Sequence, residues 1–480
     1  MDNTYFISQS TSLTLVIIIS LIFAVLGIYH SKKFHGINNY LTANRNIGLF
    51  SLTTSLVASA LGAWVLFGPA AAATWGGIGA VIGYALGTAF PMIFLIYLGK
   101  KIRSEFPKGS SLIEFMRKKF GKSLFKLILL MTIFYMFIFL CAEVTAVAVL
   151  INYISGTDLW VTALIVLLAT LTYTLYGGLR ASIFTDNIQM IVVSVLLLIA
   201  VSYIISFTGN TFSFDFINQK NPQLLSSSYI PSYTAGLTFF IAVAATNLFH
   251  QGNWQRVYAA KNYQTLKKSL IISFFIIIPI VFFTGFVGMV SFSIDPTNRP
   301  DLGFFTLLLK EQTEMLSLII IVLGLALTIS TVDTLVNAIS SLFVVDGKAT
   351  FNFSKKTDYL KLSKYFIILL SFIAFFIASK GFDILYLFLL ADLFCCAFVF
   401  TVFYSFYDKK INENTAYVSI IIGLIAGFLM FPFPDFSKSL LVGIMFPKEM
   451  FSPFILQSLL FLSFIVATFL PAVILRIKKK

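Results

Sequence analysis

The sequence predicts an all-α polytopic membrane protein with about thirteen transmembrane helices, since apolar runs of about twenty residues recur along the whole chain. Of its 480 residues, 58% are hydrophobic and only 11% are charged. Each run is long enough to cross about 30 Å of hydrocarbon as a helix. The alternating pattern of an outer-membrane barrel is absent from the sequence. A soluble chain of this length would form several domains with polar surfaces.

The first apolar run covers residues 12–29 and follows a stretch without Lys or Arg. No small-residue cleavage signal comes after it, so we expect a retained transmembrane helix and not a cleaved signal peptide. The remaining spans are predicted at 50–73, 77–99, 124–151, 159–176, 184–207, 235–255, 269–293, 316–345, 364–379, 382–407, 415–432 and 452–475.

The basic residues predict the orientation of these spans. With the N-terminus outside, the inside loops hold about 28 of the 34 Lys and Arg residues, as expected for loops on the cytoplasmic side. The outside loops keep Lys220, Arg299, Lys310, Lys380, Lys438 and Lys448. An odd number of spans then places the C-terminus inside. The net charge of +14 is therefore a topology signal, and we expect no nucleic-acid partner.

Several other functional classes are disfavoured by the sequence. All three cysteines lie in apolar runs, with neither a disulfide framework nor zinc spacing; they are Cys141, Cys395 and Cys396. No nucleophile–base pair, metal spacing or phosphate loop appears, so an enzyme is not expected. The glycines of "GGIGAVIGYALG" recur four residues apart at Gly79, Gly83 and Gly87, which predicts close packing between helices.

The segment "LTISTVDTLVNAISSLFVVD", residues 327–346, is long and apolar enough to span a membrane, yet it carries an unusual polar face. At about 100° per residue, one face collects Ser330, Asp333, Thr334, Asn337 and Ser341, with Thr331 beside it. An Asp at the bilayer centre costs about 2.5–3.5 kcal/mol. A hydrogen-bonded contact between helices is one interpretation. A cation site is favoured, because hard cations take oxygen ligands.

Two further stretches suggest irregular backbone or charge at membrane depth. "SLVASALGAWVLFGPAAAATWGG", residues 55–77, has Pro69 in mid-span. Such a helix is either broken, with freed carbonyls facing a site, or simply kinked. In "TLYGGLRASIFTDNIQM", residues 174–190, Gly177 and Gly178 form a turn and Asp186 enters the next helix. That carboxylate either belongs to a functional site or is only a negative charge near a helix N-terminus, where the helix dipole favours it.

Together these motifs resemble the solute:sodium symporters, a family that includes sodium-coupled proline, pantothenate, glucose and sialic acid transporters. "YGGLRASIFTDNIQ" resembles its Gly-Gly and Thr-Asp-x-x-Gln signature, and "STVDTLVNAISSLFVVD" its Ser-Thr-x-Asp-Ser segment. "QRVYAAKN" resembles its Gln-Arg cytoplasmic exit, and "VASALGAWVLFGPAAA" its first core helix. The four motifs follow the family's order over nearly the whole chain.

The resemblance implies a leucine-transporter-like core of two inverted five-helix repeats, N-out and C-in, within one transmembrane transporter domain over 1–480. Spans 2–6, about 50–207, and spans 7–11, about 235–407, would form the core. The peripheral spans would be 12–29, 415–432 and 452–475. The main sodium site would use the carbonyls of Ala58 and Leu61 in the broken helix, one carbonyl near Leu327, and the adjacent hydroxyls of Ser330 and Thr331.

Some family members bind a second sodium, and the matching positions here are Asp186, Asp333 and Thr334. Asp333 departs from the hydroxyl found in those members, so it would strengthen cation binding, carry a proton or act as a hydrogen-bonded strut. Ala60 replaces a polar residue that helps to bind substrate in several members, and Trp64 matches an aromatic pocket position. Candidate substrate contacts are Trp64, Glu143, Asn247, Gln251 and Asp392.

We therefore expect a sodium-coupled secondary active symporter that imports a small polar organic solute by alternating access. Intramembrane Glu143 and Asp392 favour an amine-bearing, amino-acid-like solute. One alternative is proton coupling through Asp186 and Asp333, and another is a sensor or channel that accumulates nothing. Sodium is the expected coupling ion, without an organic cofactor or an obligatory protein partner. The expected location is a lipid bilayer of the cell, the plasma membrane or a bacterial inner membrane.

Overall fold

The computed structural model describes residues 5–34, 36–296, 299–310, 313–350, 358–408, 410–447, 450 and 452–477. Among the predicted loop cations, those outside the described residues are Lys355, Lys356, Lys409, Lys448 and Lys478–Lys480. Within these ranges the chain is helical, with two isolated β-bridges and no β-strand. The predicted all-α class is confirmed.

The helices of the described residues are α1 Gln9–Ser31, α2 Ile37–Thr42, α3 Leu49–Ala60, α4 Gly68–Glu105, α5 Leu112–Lys119, α6 Lys122–Ser155, α7 Leu159–Thr208, α8 Phe214–Lys220, α9 Ile230–Phe249, α10 Gln251–Ala259, α11 Tyr263–Ile294, α12 Gly303–Leu308, α13 Glu314–Leu342, α14 Lys348–Thr350, α15 Tyr359–Ala378, α16 Ile384–Tyr404, α17 Glu413–Met430, α18 Val442–Met445 and α19 Pro453–Ile477. Eleven of them are long and apolar enough to cross a membrane. The number of crossings, their orientation and the division into core and peripheral spans stay predictions.

Two of the long helices are interrupted in mid-helix: α7 contains the predicted spans 159–176 and 184–207, and α4 contains the end of span 50–73 and all of span 77–99. α4 is interrupted at Gly77 (φ 54°) and α7 at Gly178 (φ 58°). Both backbone conformations lie in the left-handed region, where a side chain is strained. A Cβ at Gly178 would also lie 2.5 Å from the ring of Tyr40. The glycine turn predicted between spans 5 and 6 is therefore present inside α7.

The second and seventh predicted spans are both broken. α3 ends at Ala60, Leu61 is extended (φ −114°, ψ 92°), and a 3-10 turn over Ala63–Leu66 precedes α4. The later break falls at His250 (φ −57°, ψ 108°), between α9 and α10. Pro69 lies in the first turn of α4. Backbone N–H groups there have no intrahelical acceptor, so the missing N–H of proline costs no hydrogen bond. The stretch is therefore a broken helix and not a proline kink.

The polar face of α13 is enclosed by protein. Every residue from Leu323 to Leu342 is buried, and the helix packs between α6 and α7 while also contacting α3 and α10.

α4 and α9 pack closely at the predicted glycine face of α4. A Cβ at Gly79 would lie 2.0 Å from the Ser232 carbonyl oxygen. A Cβ at Gly83 would lie 2.1 Å from the Gly236 carbonyl oxygen. The two helices therefore meet backbone to backbone along this glycine face.

Candidate ion and solute site

The hydroxyl of Thr331 faces the break between α3 and α4. Thr331 donates from Oγ1 to the Leu327 carbonyl oxygen at 3.2 Å, and a Cβ at Gly62 would lie 2.8 Å from the same hydroxyl oxygen. Since α3 ends at Ala60, the Ala58 carbonyl lacks the N–H donor of a following helical turn. The Thr331 hydroxyl thus lies beside Gly62, the residue that follows the predicted ligand Leu61. Sodium binding there stays a prediction.

Ser330 connects the predicted sodium site to Asp186 on α7. It donates from Oγ to Asp186 Oδ1 at 2.7 Å, and Ser55 Oγ of α3 donates to Asp186 Oδ2 at 2.6 Å. The hydroxyl oxygen of Ser330 keeps its lone pairs while its proton is donated, so it can still face a cation. The three side chains join α3, α7 and α13 at one buried point.

A buried ion pair between Asp186 and Arg256 is the feature that sequence reasoning missed. Arg256 Nη2 lies 2.7 Å from Asp186 Oδ2, and both side chains are fully buried. The sequence pattern places Arg256 among the inside-loop cations, whereas the structure places it on α10, directly after the second break. The sequence signal for this pair is an Arg next to the polar stretch of a broken span, together with an intramembrane Asp that needs a cation partner.

The Arg256 guanidinium also ties the neighbouring backbone together. Its Nε donates to the carbonyl oxygen and to Oγ of Ser55, at 3.0 and 2.6 Å. Nη1 donates to the Gly252 carbonyl oxygen at 3.0 Å, and Nη2 to Thr334 Oγ1 at 2.9 Å. Two members of the predicted second cation site, Asp186 and Thr334, are therefore joined by a cation of the protein itself.

Asp333 is surrounded by hydroxyl groups. Its nearest donors at 2.5 and 2.7 Å are the hydroxyls of Tyr173 and Ser182 on α7. The hydroxyl oxygens of Thr185 and Thr334 lie 3.1 and 3.3 Å from its carboxylate. Asp333 forms no ion pair with any described residue. Its carboxylate thus holds α7 against α13, which favours the strut interpretation.

We expect Asp333→Ser to lower the thermal stability of the purified protein while leaving the number of bound sodium ions unchanged. Hydrogen bonds to a charged group contribute about 1.5–3 kcal/mol each, and serine cannot reach all the hydroxyls of α7. Thermal unfolding and equilibrium binding of radioactive sodium to wild type and variant measure the two quantities. A loss of one bound sodium in the variant would show that Asp333 is an ion ligand. If wild type shows uptake driven by a pH gradient and the variant does not, Asp333 is a proton carrier.

A small cavity of about 20 Å³ is lined in part by Thr331. Its walls include Ser59 and Ala60 at the end of α3 and four aromatic rings. These rings belong to Trp64, Tyr84, Phe139 and Phe388. Trp64, Asn247 and Asp392, which the sequence predicts as substrate contacts, line this cavity. It therefore adjoins both the broken helix and the predicted sodium ligands.

Asp392 is the charged side chain of this cavity. It accepts a hydrogen bond from Thr246 Oγ1 at 2.6 Å, forms no ion pair with any described residue, and remains 4% exposed. The ring of Trp64 stands 5.8 Å from that of Tyr84 and 6.4 Å from that of Phe388, centroid to centroid. The cavity thus combines an uncompensated carboxylate with the faces and edges of aromatic rings.

The other two predicted substrate contacts lie outside the cavity lining. Gln251 donates from Nε2 to the Ser110 carbonyl oxygen at 2.9 Å, on the predicted cytoplasmic side. There Ser111 Oγ also donates to Asp346 Oδ2 at 2.7 Å. These bonds join the α5 region to α10 and to the π-helical turn Phe343–Gly347 that follows α13. Glu143 accepts a hydrogen bond at Oε2 from the Ala63 N–H at 2.9 Å, inside the first break.

Comparison with known proteins agrees with this architecture. The family model of the sodium:solute symporter family matches residues 40–423. The spermidine transporter DUR31 of Candida albicans is 25% identical over 386 residues, which cover 80% of this chain and 72% of that protein. The mouse sodium/glucose cotransporter 4 is 22% identical over 86% of this chain and 68% of its own length.

A solved structure of a Na⁺-coupled sialic acid symporter, in a substrate-bound outward-open state, superposes with a TM-score of 0.69 at 18% sequence identity. The alignment covers 96% of this chain and 97% of that one, so the two proteins share a fold. The family match extends over most of the chain, beyond any single motif. The chain therefore belongs to the sodium:solute symporter family and is a sodium-coupled, multi-pass membrane transporter, not an enzyme.

Proposed function

We propose that this protein imports small organic amines, in their ammonium form, together with sodium across the cell membrane. The observation that carries the proposal is Asp392, an uncompensated carboxylate in a cavity walled by aromatic rings. A buried carboxylate is stabilised by a hydrogen-bonded cation, and ammonium groups bind favourably to aromatic faces. An amine satisfies both groups at once.

Solutes of other charge fit this cavity less well. Sialic acid, the solute named for the structural neighbour, is an anion at neutral pH, and it would face Asp392 in a cavity lined by His250 but by no Lys or Arg. A sugar would leave the carboxylate uncompensated. Spermidine, named for the fungal relative, carries several ammonium groups. The chemistry of the cavity therefore agrees with the amine transporter among these relatives.

Sodium would be coupled to the solute through the end of α3. The cavity is lined by Thr331, a predicted sodium ligand, and by Ser59 and Ala60, the two residues that follow Ala58. An ion that orders the end of α3 therefore also orders a wall of the solute cavity. Such coupling is reciprocal, so bound solute would raise the affinity for sodium by the same factor.

Uptake into proteoliposomes tests the proposal. We expect labelled spermidine, or a smaller diamine such as putrescine, to accumulate when an inward sodium gradient is imposed, and not when potassium replaces sodium. Asp392→Asn should weaken amine binding by about 2–5 kcal/mol, because it removes one partner of a buried charge pair. That corresponds to roughly 30-fold or more in half-saturating amine. Glu314→Gln, at an exposed carboxylate of α13, is the matched control.

The other outcomes identify the alternatives. Accumulation driven by a pH gradient in sodium-free buffer would show proton coupling. Equilibration without accumulation would indicate a channel or sensor. Unchanged amine affinity in Asp392→Asn would reject the amine site while leaving sodium coupling intact.

A further inference from the structure

Glu143 on α6 has a fully buried carboxylate with one satisfied oxygen and one unsatisfied oxygen. Oε2 accepts the Ala63 N–H at 2.9 Å. Oε1 has no hydrogen-bond partner, although it is buried from solvent. A buried carboxylate oxygen without a donor or cation is costly, so this oxygen indicates a ligand that the protein does not itself provide.

The unsatisfied oxygen lies near the hydroxyl of Thr331, one of the predicted sodium ligands. A Cβ at Gly62 would lie 2.1 Å from Glu143 Oε1 and 2.8 Å from Thr331 Oγ1. Both oxygens therefore flank the same backbone position, directly after the extended residue Leu61. Glu143 does not line the solute cavity. Its free oxygen thus belongs with the ion ligands and not with the amine contacts.

The charge balance of the neighbouring buried carboxylates also favours a cation beside Glu143. Asp186 is paired with Arg256, and Asp333 is held by hydroxyl groups. Glu143 receives backbone N–H donation at Oε2 and forms no ion pair with any described residue. A small hard cation between Thr331 and Glu143 would supply the missing positive charge, and oxygen ligands suit such a cation.

We propose that Glu143 contributes its free carboxylate oxygen to the sodium ion that the Ser330–Thr331 pair and the broken end of α3 bind. This inference rests on the proposed function and adds a charged ligand to a site otherwise built from neutral oxygens. One side chain would then contact the ion through Oε1 and hold the Ala63–Leu66 turn through Oε2. Trp64, in that turn, lines the solute cavity, so Glu143 links ion binding to the solute site.

Thermal unfolding of the purified full-length protein tests the inference without any solute. The probe is sodium alone, as NaCl titrated against KCl at constant ionic strength. We expect wild type to be stabilised by NaCl. Glu143→Gln should need at least tenfold more NaCl for the same half-effect and keep its stability in KCl, because the glutamine oxygen still accepts the Ala63 N–H. Thr145→Val, on the same helix, removes only a bond to the Cys141 carbonyl oxygen and should match wild type.

The outcomes separate this inference from the proposed function. A wild type that does not respond to NaCl would overturn the proposed sodium site itself. A responsive wild type with an unchanged half-effect in Glu143→Gln would overturn only the role of Glu143. If Glu143→Gln does not fold, Glu143→Asp, which keeps the charge on a shorter chain, should weaken binding of radioactive sodium, and unchanged binding would overturn the role. A higher spermidine KM at saturating sodium in either variant would assign Glu143 to the solute instead.

Discussion

Replacing Ser330 and Thr331 together by alanine is expected to abolish sodium-driven uptake at sodium concentrations that saturate wild type. Each hydroxyl is a predicted ion ligand. We take the contribution of one such contact to sodium binding to equal that of a hydrogen bond to a charged group, about 1.5–3 kcal/mol. Each single variant should therefore raise the half-saturating sodium concentration roughly 10- to 150-fold. Initial uptake rates of amine into proteoliposomes, measured against sodium concentration, give this value.

Ser317→Ala provides the matched control for α13. Ser317 is buried on the same helix, and its hydroxyl bonds only to the Thr313 carbonyl oxygen, so its sodium dependence should equal that of wild type. Variants of Ser330 and Thr331 that fold less well but keep the wild-type sodium dependence would favour a purely structural contact between helices. That result would favour a hydrogen-bonded contact between helices over a cation site as the role of the polar face of α13.

The second large effect is expected from Arg256. Arg256→Met leaves Asp186 buried without a cation, and breaking one partner of a buried ion pair costs about 3–5 kcal/mol. The guanidinium bonds to Ser55, Gly252 and Thr334 would be lost as well. We expect a marked fall in the melting temperature of the purified protein, measured by differential scanning fluorimetry in the same detergent as wild type.

A double substitution distinguishes loss of the ion pair from loss of packing. Asp186→Asn combined with Arg256→Met removes both charges, and it should be more stable than Arg256→Met alone. If the two substitutions are instead additive in their effect on stability, the charges are not coupled and the Arg256 contribution is steric. Uptake is not the readout here, because Asp186 also contacts Ser330.

Those features of the fold that depend on local pattern could be predicted from the sequence. Apolar length revealed the spans, and helical periodicity placed Ser330, Asp333 and Asn337 on one buried face of α13. The Gly–Pro composition around Pro69 revealed the first break. Glycine pairs and spacings indicated where chain direction changes and where helices approach. Each of these signals lies within about twenty residues of sequence.

The partners of the polar groups could not be predicted, because they depend on how distant helices rotate against one another. Arg256 and Asp186 are 70 positions apart in the chain. Because Arg256 comes at the end of a predicted span, the sequence pattern assigns it to a loop. Glu143 and Gln251 both looked like solute contacts, since polarity alone does not identify a neighbour. The structure places Glu143 beside the first break and Gln251 beside Ser110.

The contact between α4 and α9 along Gly79 and Gly83 has a mechanical consequence. Helices that touch backbone to backbone have no layer of side chains between them that could rearrange, so we expect α4 and α9 to move as a single rigid body. α13 belongs to a different packed group, with α6 and α7. α3 contacts both α7 and α11, and α11 packs on α4. An ion held between the end of α3 and α13 would then add a reversible cross-link between the two bodies. Release of that cross-link, and not deformation within either body, would then determine when the transporter changes its facing.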